Sequence, residues 1–166
     1  MVEIAEFLSK SAEETTRLGE RLAGHLRAGD VVALSGVIGA GKSLMARAIA
    51  GGLGIDVAMA SPSFVIVASY EGRPGGPAVN HVDLYRLRDY GEALSAGVED
   101  AIHSSAVSMV EWADHVPDVL PAERLDIRFE LRREPGHRLI ALEPRGDDLG
   151  ARLSYFITDI VRESFQ

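Results

Sequence analysis

Residues 36–43, which read GVIGAGKS, constrain the fold of this chain more than any other stretch, because they match the pattern GxxxxGK[ST] in full. The apolar run Val31–Leu34 precedes them and predicts a buried strand, and helix-forming residues follow at 42–50. Between a strand and a helix, glycines let successive backbone N–H groups turn inward around an anion, and the helix N-terminus adds positive potential. The pattern therefore predicts a phosphate-binding loop in an α/β fold.

Two side chains of this loop carry its expected chemistry. A lysine at the position of Lys42 reaches the β- and γ-phosphates of a bound nucleotide, and a hydroxyl at the position of Ser43 can ligate Mg²⁺. Lys42 is one of only two lysines in the chain, the other being Lys10. We therefore expect nucleotide binding. A glycine-rich turn with a solvated lysine is the alternative, and the completeness of the pattern argues against it.

Nucleotide hydrolysis also needs carboxylates near the loop, and two acids follow predicted strands. Asp83 follows the extended run at 79–82 and is a candidate for holding the metal through water. Glu111 follows the apolar run at 106–110 and is the candidate for a general base or for orienting the attacking water. The alternatives are that Asp83 is a cap or turn residue and that Glu111 is a surface acid.

A third candidate segment follows the helix of the loop. Pro62 favours an extended conformation at Ser61. A hydroxyl in this connection, at Ser61 or Ser63, could sense the γ-phosphate and its metal, as switch segments do. A plain turn held by a serine side chain is an equally good interpretation.

The other predicted elements complete a mixed sheet. They are a short strand at 3–8, a helix from the capping-box sequence at 11–14 to 28–30, a hairpin of 64–71 and 78–85, a polar helical segment around 91–104, a strand at 106–110, a hairpin of 124–132 and 138–142, and a helix from about 147 to 164. We therefore expect one domain over residues 1–166 with an α/β fold, a P-loop NTPase-like three-layer sandwich. Its central sheet is mixed and partly parallel, with added antiparallel hairpins.

Composition excludes several classes of protein. The chain has no cysteine, which rules out disulfides, thiolate nucleophiles and cysteine-ligated zinc. Its formal net charge of −8 opposes autonomous binding to a nucleic-acid backbone. The longest uncharged run, 57–70, contains Pro62 and is too short to span a membrane, so we expect a soluble, cytoplasmic protein without membrane contact.

The five histidines lack the spacing of a zinc site. One of them, His81, lies two residues before Asp83. We expect His81 to serve strand-end packing and hydrogen bonding.

Four stretches, in this order along the chain, resemble the TsaE family, also called YjeE. They are GVIGAGKS, SPSF at 61–64, HVDLYR at 81–86 and VEW at 110–112. The family consists of small bacterial P-loop ATPases required for the threonylcarbamoyladenosine modification of tRNA. The likeness extends from the helix at 13–23 to the strand at 120–127, and HVDLYR and VEW are more specific to the family than the loop is.

The resemblance implies a set of nucleotide-binding residues. They are Thr15, Gly36, Val37, Ile38, Gly39, Ala40, Gly41, Lys42, Ser43, Leu44, Ser63 and Trp112. In the family, Thr15 corresponds to a threonine near the nucleotide, Ser63 to a switch position and Trp112 to a tryptophan beside the nucleotide. For Trp112, a simple core aromatic is the alternative.

The resemblance also implies the catalytic and metal residues. Lys42, Asp83 and Glu111 are the expected catalytic residues, with Asp83 as the Walker B aspartate and Glu111 as the catalytic glutamate. Ser43, Asp83 and Glu111 are the expected Mg²⁺ ligands, and ATP is the expected nucleotide.

The chain departs from the family pattern at three positions. The family loop usually reads GDLGAGKT and its switch SPTF, whereas this chain has Val37, Ser43 and Ser63. Serine keeps the hydroxyl ligand but lacks the methyl group that restricts the threonine rotamer. Val37 removes a carboxylate near the phosphates.

The family resemblance implies two partner proteins, TsaD and TsaB, which transfer the threonylcarbamoyl group to an adenosine next to the anticodon, so that tRNA is contacted only indirectly. Two other functions remain open. A small-molecule kinase would use arginines such as Arg86 and Arg132 as a lid, and a nucleotide-gated binding subunit would use ATP only to control association.

Overall fold

The computed structural model describes residues 4–55 and 65–163. Within these ranges the strands are β1 Ala5–Ser9, β2 Val31–Ser35, β3 Val67–Tyr70, β4 Val79–Asp83, β5 Val107–Glu111, β6 Arg124–Leu131 and β7 Arg138–Arg145. The helices are α1 Ala12–Ala23, α2 Lys42–Gly52, α3 Tyr90–Ser95, α4 Val98–Ile102 and α5 Asp147–Glu163. Two 3₁₀ turns, Ala113–His115 and Pro117–Val119, follow β5.

The strands form one sheet in the order β1-β7-β6-β2-β5-β4-β3. Strand β2 runs parallel to both β5 and β6, and β5 runs parallel to β4. The pairs β1–β7, β6–β7 and β3–β4 are antiparallel. The mixed, partly parallel sheet with added hairpins is therefore confirmed, and its parallel centre gathers the carboxyl ends of β2, β4 and β5 at one edge.

Helices cover both faces of the sheet centre, which gives the predicted three layers. Side chains of β2 alternate between two buried clusters, with Val32 and Leu34 packed among α1, α2 and α5. Val31 and Ala33 pack on the opposite face, among α3, α4 and the 3₁₀ turns.

Helix α1 begins as predicted but ends earlier. The Ser11 side chain accepts a hydrogen bond from the Glu14 N–H at 3.1 Å, which caps the helix. The helix ends at Ala23 rather than at 28–30, because Gly24 caps it and the chain turns there. Leu26, beyond this end, is nonetheless buried in the same cluster.

The helical segment predicted at 91–104 is wrong as a single element. It consists of α3 and α4, separated at Gly97, which has φ of +80° and forms the N-cap of α4. The predicted hairpins are confirmed with shifted ends, and β7 continues to Arg145.

Helix α5 confirms the amphipathic C-terminal helix. Leu153, Phe156, Ile157 and Ile160 are all buried against the sheet. Among the described residues, no helix is long and apolar enough to cross a membrane.

Candidate functional site

The loop 36–43 leaves the carboxyl end of β2 and leads into α2. Gly36 and Gly41 have φ of +146° and +115°, conformations that other residues rarely adopt. A Cβ atom at Gly36 would lie 2.8 Å from the carbonyl oxygen of Phe129 on β6. The loop therefore lies directly on the backbone of that strand, and glycine is required at its start.

The remaining loop residues differ in exposure. The side chains of Val37 and Ile38 point outward, with 58% and 77% of each residue exposed, and Ala40 is fully buried. Gly39 is exposed and Leu44, in the first turn of α2, is half-buried. The apolar tip of the loop is thus open to solvent.

Lys42 is folded onto its own loop. Its ammonium donates hydrogen bonds to the carbonyl oxygens of Gly36 at 2.6 Å and Val37 at 2.9 Å. It also lies 3.9 Å from the ring centroid of Trp112, a cation–π contact. Burial lowers the pKa of Lys42, and the charge of Glu111 opposes that shift.

Ser43 connects the loop to the end of β5. Its hydroxyl donates a hydrogen bond to Oε1 of Glu111 at 2.7 Å. The other carboxylate oxygen of Glu111 is hydrogen-bonded to Nε2 of His81 on β4. The carboxylate therefore lies between a helix that begins at the loop and a neighbouring parallel strand.

Glu111 is almost fully buried, with 2% of the residue exposed. Burial alone would raise the pKa of its carboxyl group, but the hydrogen bonds from His81 and Ser43 outweigh that effect and lower the pKa. An ionised Glu111 is therefore stable in this position. The prediction of a surface acid at a strand end does not describe it.

Asp83 ends β4 directly beside Glu111, its register partner on β5. Its Oδ1 accepts a hydrogen bond from the backbone N–H of Tyr85 at 2.8 Å, so it also holds the turn after the strand. Burial raises the pKa of Asp83 and the Glu111 charge adds to this, while the Tyr85 N–H opposes it. Among the described residues, the side-chain partner of Ser43 is Glu111 rather than Asp83.

Trp112 has the only positive φ among the described non-glycine residues, +55°. This conformation follows directly after Glu111 and places the indole in a ring cluster with Tyr85 and His115, at centroid distances of 4.9 and 5.1 Å. Strained backbone of this kind is concentrated at functional sites. Trp112 is half-buried and packs against the core cluster on this side of the sheet, and its place beside a nucleotide stays a prediction.

Thr15 lies on α1 and is fully buried. Its hydroxyl is hydrogen-bonded to that of Ser9 at 2.8 Å and donates to the carbonyl oxygen of Ser11 at 3.3 Å. These contacts hold the connection between β1 and α1, and its role near a nucleotide stays a prediction. The switch residues Ser61, Pro62 and Ser63 lie outside the described residues.

Sequence reasoning missed two features of this site. The hydrogen bond between His81 and Glu111 joins residues on different strands, although the HVD pattern does place His81 on the face of Asp83. Arg138, the first residue of β7, donates to the carbonyl oxygen of Ala40 at 3.3 Å and packs beside Gly41. No local pattern distinguishes this arginine from the others in the chain.

Several known proteins are similar to this chain. The family model of the threonylcarbamoyl adenosine biosynthesis protein TsaE matches residues 9–140. The tRNA threonylcarbamoyladenosine biosynthesis protein TsaE of Mycobacterium leprae is 40% identical over 129 residues, which cover 74% of this chain and 80% of that protein. The TsaE protein of Bacillus subtilis is 38% identical over 115 residues, which cover 69% of this chain and 70% of that protein.

A solved structure supports the same relationship. The crystal structure of Bacillus subtilis YdiB superposes with a TM-score of 0.75 at 27% identity, over 98% of this chain and 97% of that chain. The matched residues 9–140 contain the loop, Asp83 and Glu111. The family resemblance of the motifs is therefore confirmed, and the chain belongs to the TsaE family of threonylcarbamoyladenosine biosynthesis proteins.

Proposed function

We propose that this protein binds ATP with Mg²⁺ and hydrolyses its γ-phosphate, and that this ATPase acts with TsaD and TsaB in the threonylcarbamoyladenosine modification of tRNA. One observation carries the proposal. The Ser43 hydroxyl and the Glu111 carboxylate lie 2.7 Å apart, so a loop of the phosphate-binding type directly faces a buried acid.

Phosphate binding follows from the loop. The N-cap of α2 is Gly41, which has no side chain that could cap the helix, and the free backbone N–H groups of a helix N-terminus after a glycine-rich loop favour anions. Lys42 brings the one ammonium group of this region. Its three N–H donors can be exchanged from the carbonyl oxygens of Gly36 and Val37 to phosphate oxygens.

The residues fit Mg²⁺ as part of a nucleotide site. Ser43, Asp83 and Glu111 offer only oxygen donors, which Mg²⁺ prefers, and Mg²⁺ usually keeps several waters and takes further ligands from phosphates. Within residues 4–55 and 65–163, no group of three or more histidine or acidic side chains could hold a metal without such ligands. When bound, Mg²⁺ would supply charge neutralisation at the phosphate oxygens.

Glu111 is the group best suited to orient the attacking water. Its donors keep the carboxylate ionised, and an ionised carboxylate accepts hydrogen bonds from water. The water oxygen bonds to the γ-phosphorus, the bond between that phosphorus and the bridging oxygen of ADP breaks, and ADP and inorganic phosphate leave. Lys42 stabilises the charge on the phosphate oxygens.

The proposed partners account for the substrate. Relatives of this chain carry the name tRNA threonylcarbamoyladenosine biosynthesis protein, whereas its own net charge of −8 disfavours direct contact with tRNA. We therefore assign tRNA binding to TsaD and TsaB. We also propose that this activity takes place in the cytoplasm.

The first test is ATP binding to Lys42→Ala, with Lys10→Ala as the matched control at the other lysine. Loss of a charged hydrogen-bond donor should weaken binding about 10- to 100-fold. Calorimetry is preferred for Lys42→Ala, because Lys42 contacts Trp112 and its loss alters the emission. Unchanged affinity in Lys42→Ala would overturn the proposed binding site. In the wild type, titration of ATP, ADP and GTP, each with and without Mg²⁺, is followed by the fluorescence emission of Trp112, which compares the affinities for the three nucleotides.

The second test is phosphate release by Glu111→Gln in the presence of TsaD and TsaB. We expect a loss of about 100-fold or more with ATP binding retained. Wild-type protein that releases no phosphate would overturn the ATPase. Loss of phosphate release in Glu111→Gln with tRNA modification intact would instead favour a nucleotide-gated binding subunit.

A further inference from the structure

Two side chains are hydrogen-bonded to the carboxylate of Glu111 among the described residues, and one of them belongs to the phosphate-binding loop. Ser43 donates to Oε1, and His81 is hydrogen-bonded to Oε2 from β4. An ionised carboxylate can only accept, so Nε2 of His81 carries the hydrogen. Each oxygen therefore has its own donor.

The sheet places His81 for this contact. Strands β4 and β5 are parallel, with Asp83 beside Glu111 and His81 beside Met109. Side chains two residues apart share a face of a strand, so His81 and Asp83 both lie on the face of Glu111 that α2 covers. His81 thus contacts Glu111 diagonally, because its register partner Met109 lies two residues before Glu111 on β5.

Burial makes this hydrogen bond hard to replace. The side chains of His81 and Glu111 are only 2% and 3% exposed. Loss of a donor at such a buried position leaves a carboxylate oxygen unpaired or makes the carboxylate rotate, and either change is costly. The other ring nitrogen of His81, Nδ1, is buried and has no partner among the described residues. Within the part of the chain that the structure describes, the polar contact of the ring is therefore with Glu111.

We propose that His81 is a positioning residue, which holds the Glu111 carboxylate in the orientation that faces Ser43. This inference rests on the proposed function for its effect on hydrolysis, because His81 acts on the nucleotide only through Glu111. It assigns a task to the first residue of HVDLYR, for which the sequence predicted strand-end packing and hydrogen bonding without a specified partner.

Three substitutions separate positioning from packing. His81→Phe keeps a ring of similar size and removes the donor. His81→Gln restores an amide N–H near the place of Nε2, whereas His81→Asn carries its amide near the place of Nδ1, too short to reach Glu111. His103→Gln, at an exposed histidine that follows α4, is the matched control.

We expect His81→Phe and His81→Asn to lower kcat for phosphate release about tenfold or more, with KM for ATP within about threefold of the wild type. His81→Gln should recover most of kcat. The double variant His81→Phe, Glu111→Gln should be no slower than Glu111→Gln alone, because His81 acts through that carboxylate. If His81→Phe does not fold, the comparison of kcat in His81→Asn and His81→Gln distinguishes positioning from packing.

Several results would overturn the proposal. One is a wild-type kcat in folded His81→Asn, and another is an equal loss of kcat in His81→Asn and His81→Gln. The others are a change of KM as large as the change of kcat in these variants, and a loss of kcat in the double variant equal to the product of the two single losses. Crystal structures of His81→Asn and His81→Gln give a readout without turnover. If Glu111 stays hydrogen-bonded to Ser43 in His81→Asn, the positioning role is wrong. If the wild type releases no phosphate, the proposed ATPase is wrong, and these structures still decide the role of His81.

Discussion

Two carboxylates, Glu111 at the end of β5 and Glu143 on β7, each contact two polar side chains but differ in the type and the burial of those partners. Glu111 accepts from Ser43 and His81, and its side chain is 3% exposed. Glu143, whose side chain is 18% exposed, pairs with Arg128 at 2.9 Å and with Arg145 at 3.4 Å, and these arginine side chains are 49% and 43% exposed.

The difference teaches where geometry is fixed in this molecule. Water can replace an arginine at Glu143, so the ion pairs of the hairpin contribute little to stability. The Glu111 side chain is buried, so the loss of either hydrogen bond leaves a buried oxygen unpaired. We therefore expect the loss of a polar partner to cost more at the parallel centre of the sheet than in the β6–β7 hairpin.

The largest expected effect lies where the two regions meet, at Gly36. Gly36→Ala should lower the free energy of unfolding by about 3 kcal/mol, because the new Cβ would lie 2.8 Å from the Phe129 carbonyl oxygen in a conformation that alanine disfavours. Urea unfolding measures this change. Gly150→Ala, in α5 where a Cβ meets nothing within 4 Å, is the control and should be neutral or stabilising. Equal stability of the two variants would contradict the close contact.

The next effect tests the buried carboxylate. Ser43→Ala should lower the free energy of unfolding of the nucleotide-free protein by about 1–3 kcal/mol, since the buried Glu111 carboxylate loses one of its donors. Ser154→Ala is the control. It removes an exposed hydroxyl that donates to the carbonyl oxygen of Ala151 at 2.9 Å, and it should change the free energy of unfolding by less than about 0.5 kcal/mol. Similar losses in both variants would remove the distinction between the regions.

The pH dependence of stability tests the neighbouring acid, Asp83. Its pKa is raised above 3.8 in the folded protein, so ionisation costs stability once the pH exceeds the folded pKa, and this cost disappears as the pH falls below 3.8. Asp83→Asn keeps an oxygen acceptor for the Tyr85 N–H and removes the cost. The variant should be more stable than the wild type at pH 7, with the difference shrinking towards pH 4.

Urea unfolding at several pH values measures this difference. Asp118→Asn, at an exposed aspartate, changes the net charge equally and is the control. Glu111 has the opposite sign, because its lowered pKa gives stability above its ordinary value of 4.5 that is lost as the pH falls through the folded pKa. An Asp83→Asn variant less stable than the wild type at pH 7 would contradict the raised pKa.

The smallest effect belongs to the exposed hairpin. Arg128→Ala should lower the free energy of unfolding by less than about 1 kcal/mol, and added salt should reduce the difference further. Urea unfolding at low and high ionic strength measures both quantities. A loss as large as that of Ser43→Ala would show that the hairpin pairs are as demanding as the buried ones.

Local patterns predicted the elements and the loop, because both depend on residues that are close in sequence. The capping box at Ser11, the loop before Lys42 and the apolar face of α5 are all of this kind. Two predicted helix boundaries were wrong, and in each case a single glycine ends or divides the helix. Gly24 caps α1, and Gly97 divides α3 from α4.

The contacts of the site could not be predicted in the same way. Strand order decides that β5 lies between β2 and β4, and that order brings Glu111 to both Ser43 and His81. A single sequence records which face a residue occupies but not which strand lies beside it. Arg138 is a similar case, because its place beside Gly41 depends on the pairing of β6 with β7.

The contact of Gly36 with Phe129 has a consequence for how this protein can diverge. A Cβ at Gly36 would meet both the carbonyl oxygen and the Cβ of Phe129, and the Phe129 side chain is buried in the core, so backbone and side chain are both constrained at this position. A proline or an inserted residue in β6 beside Gly36 would displace the peptide backbone and disturb the loop 36–43, although no residue of the loop had changed.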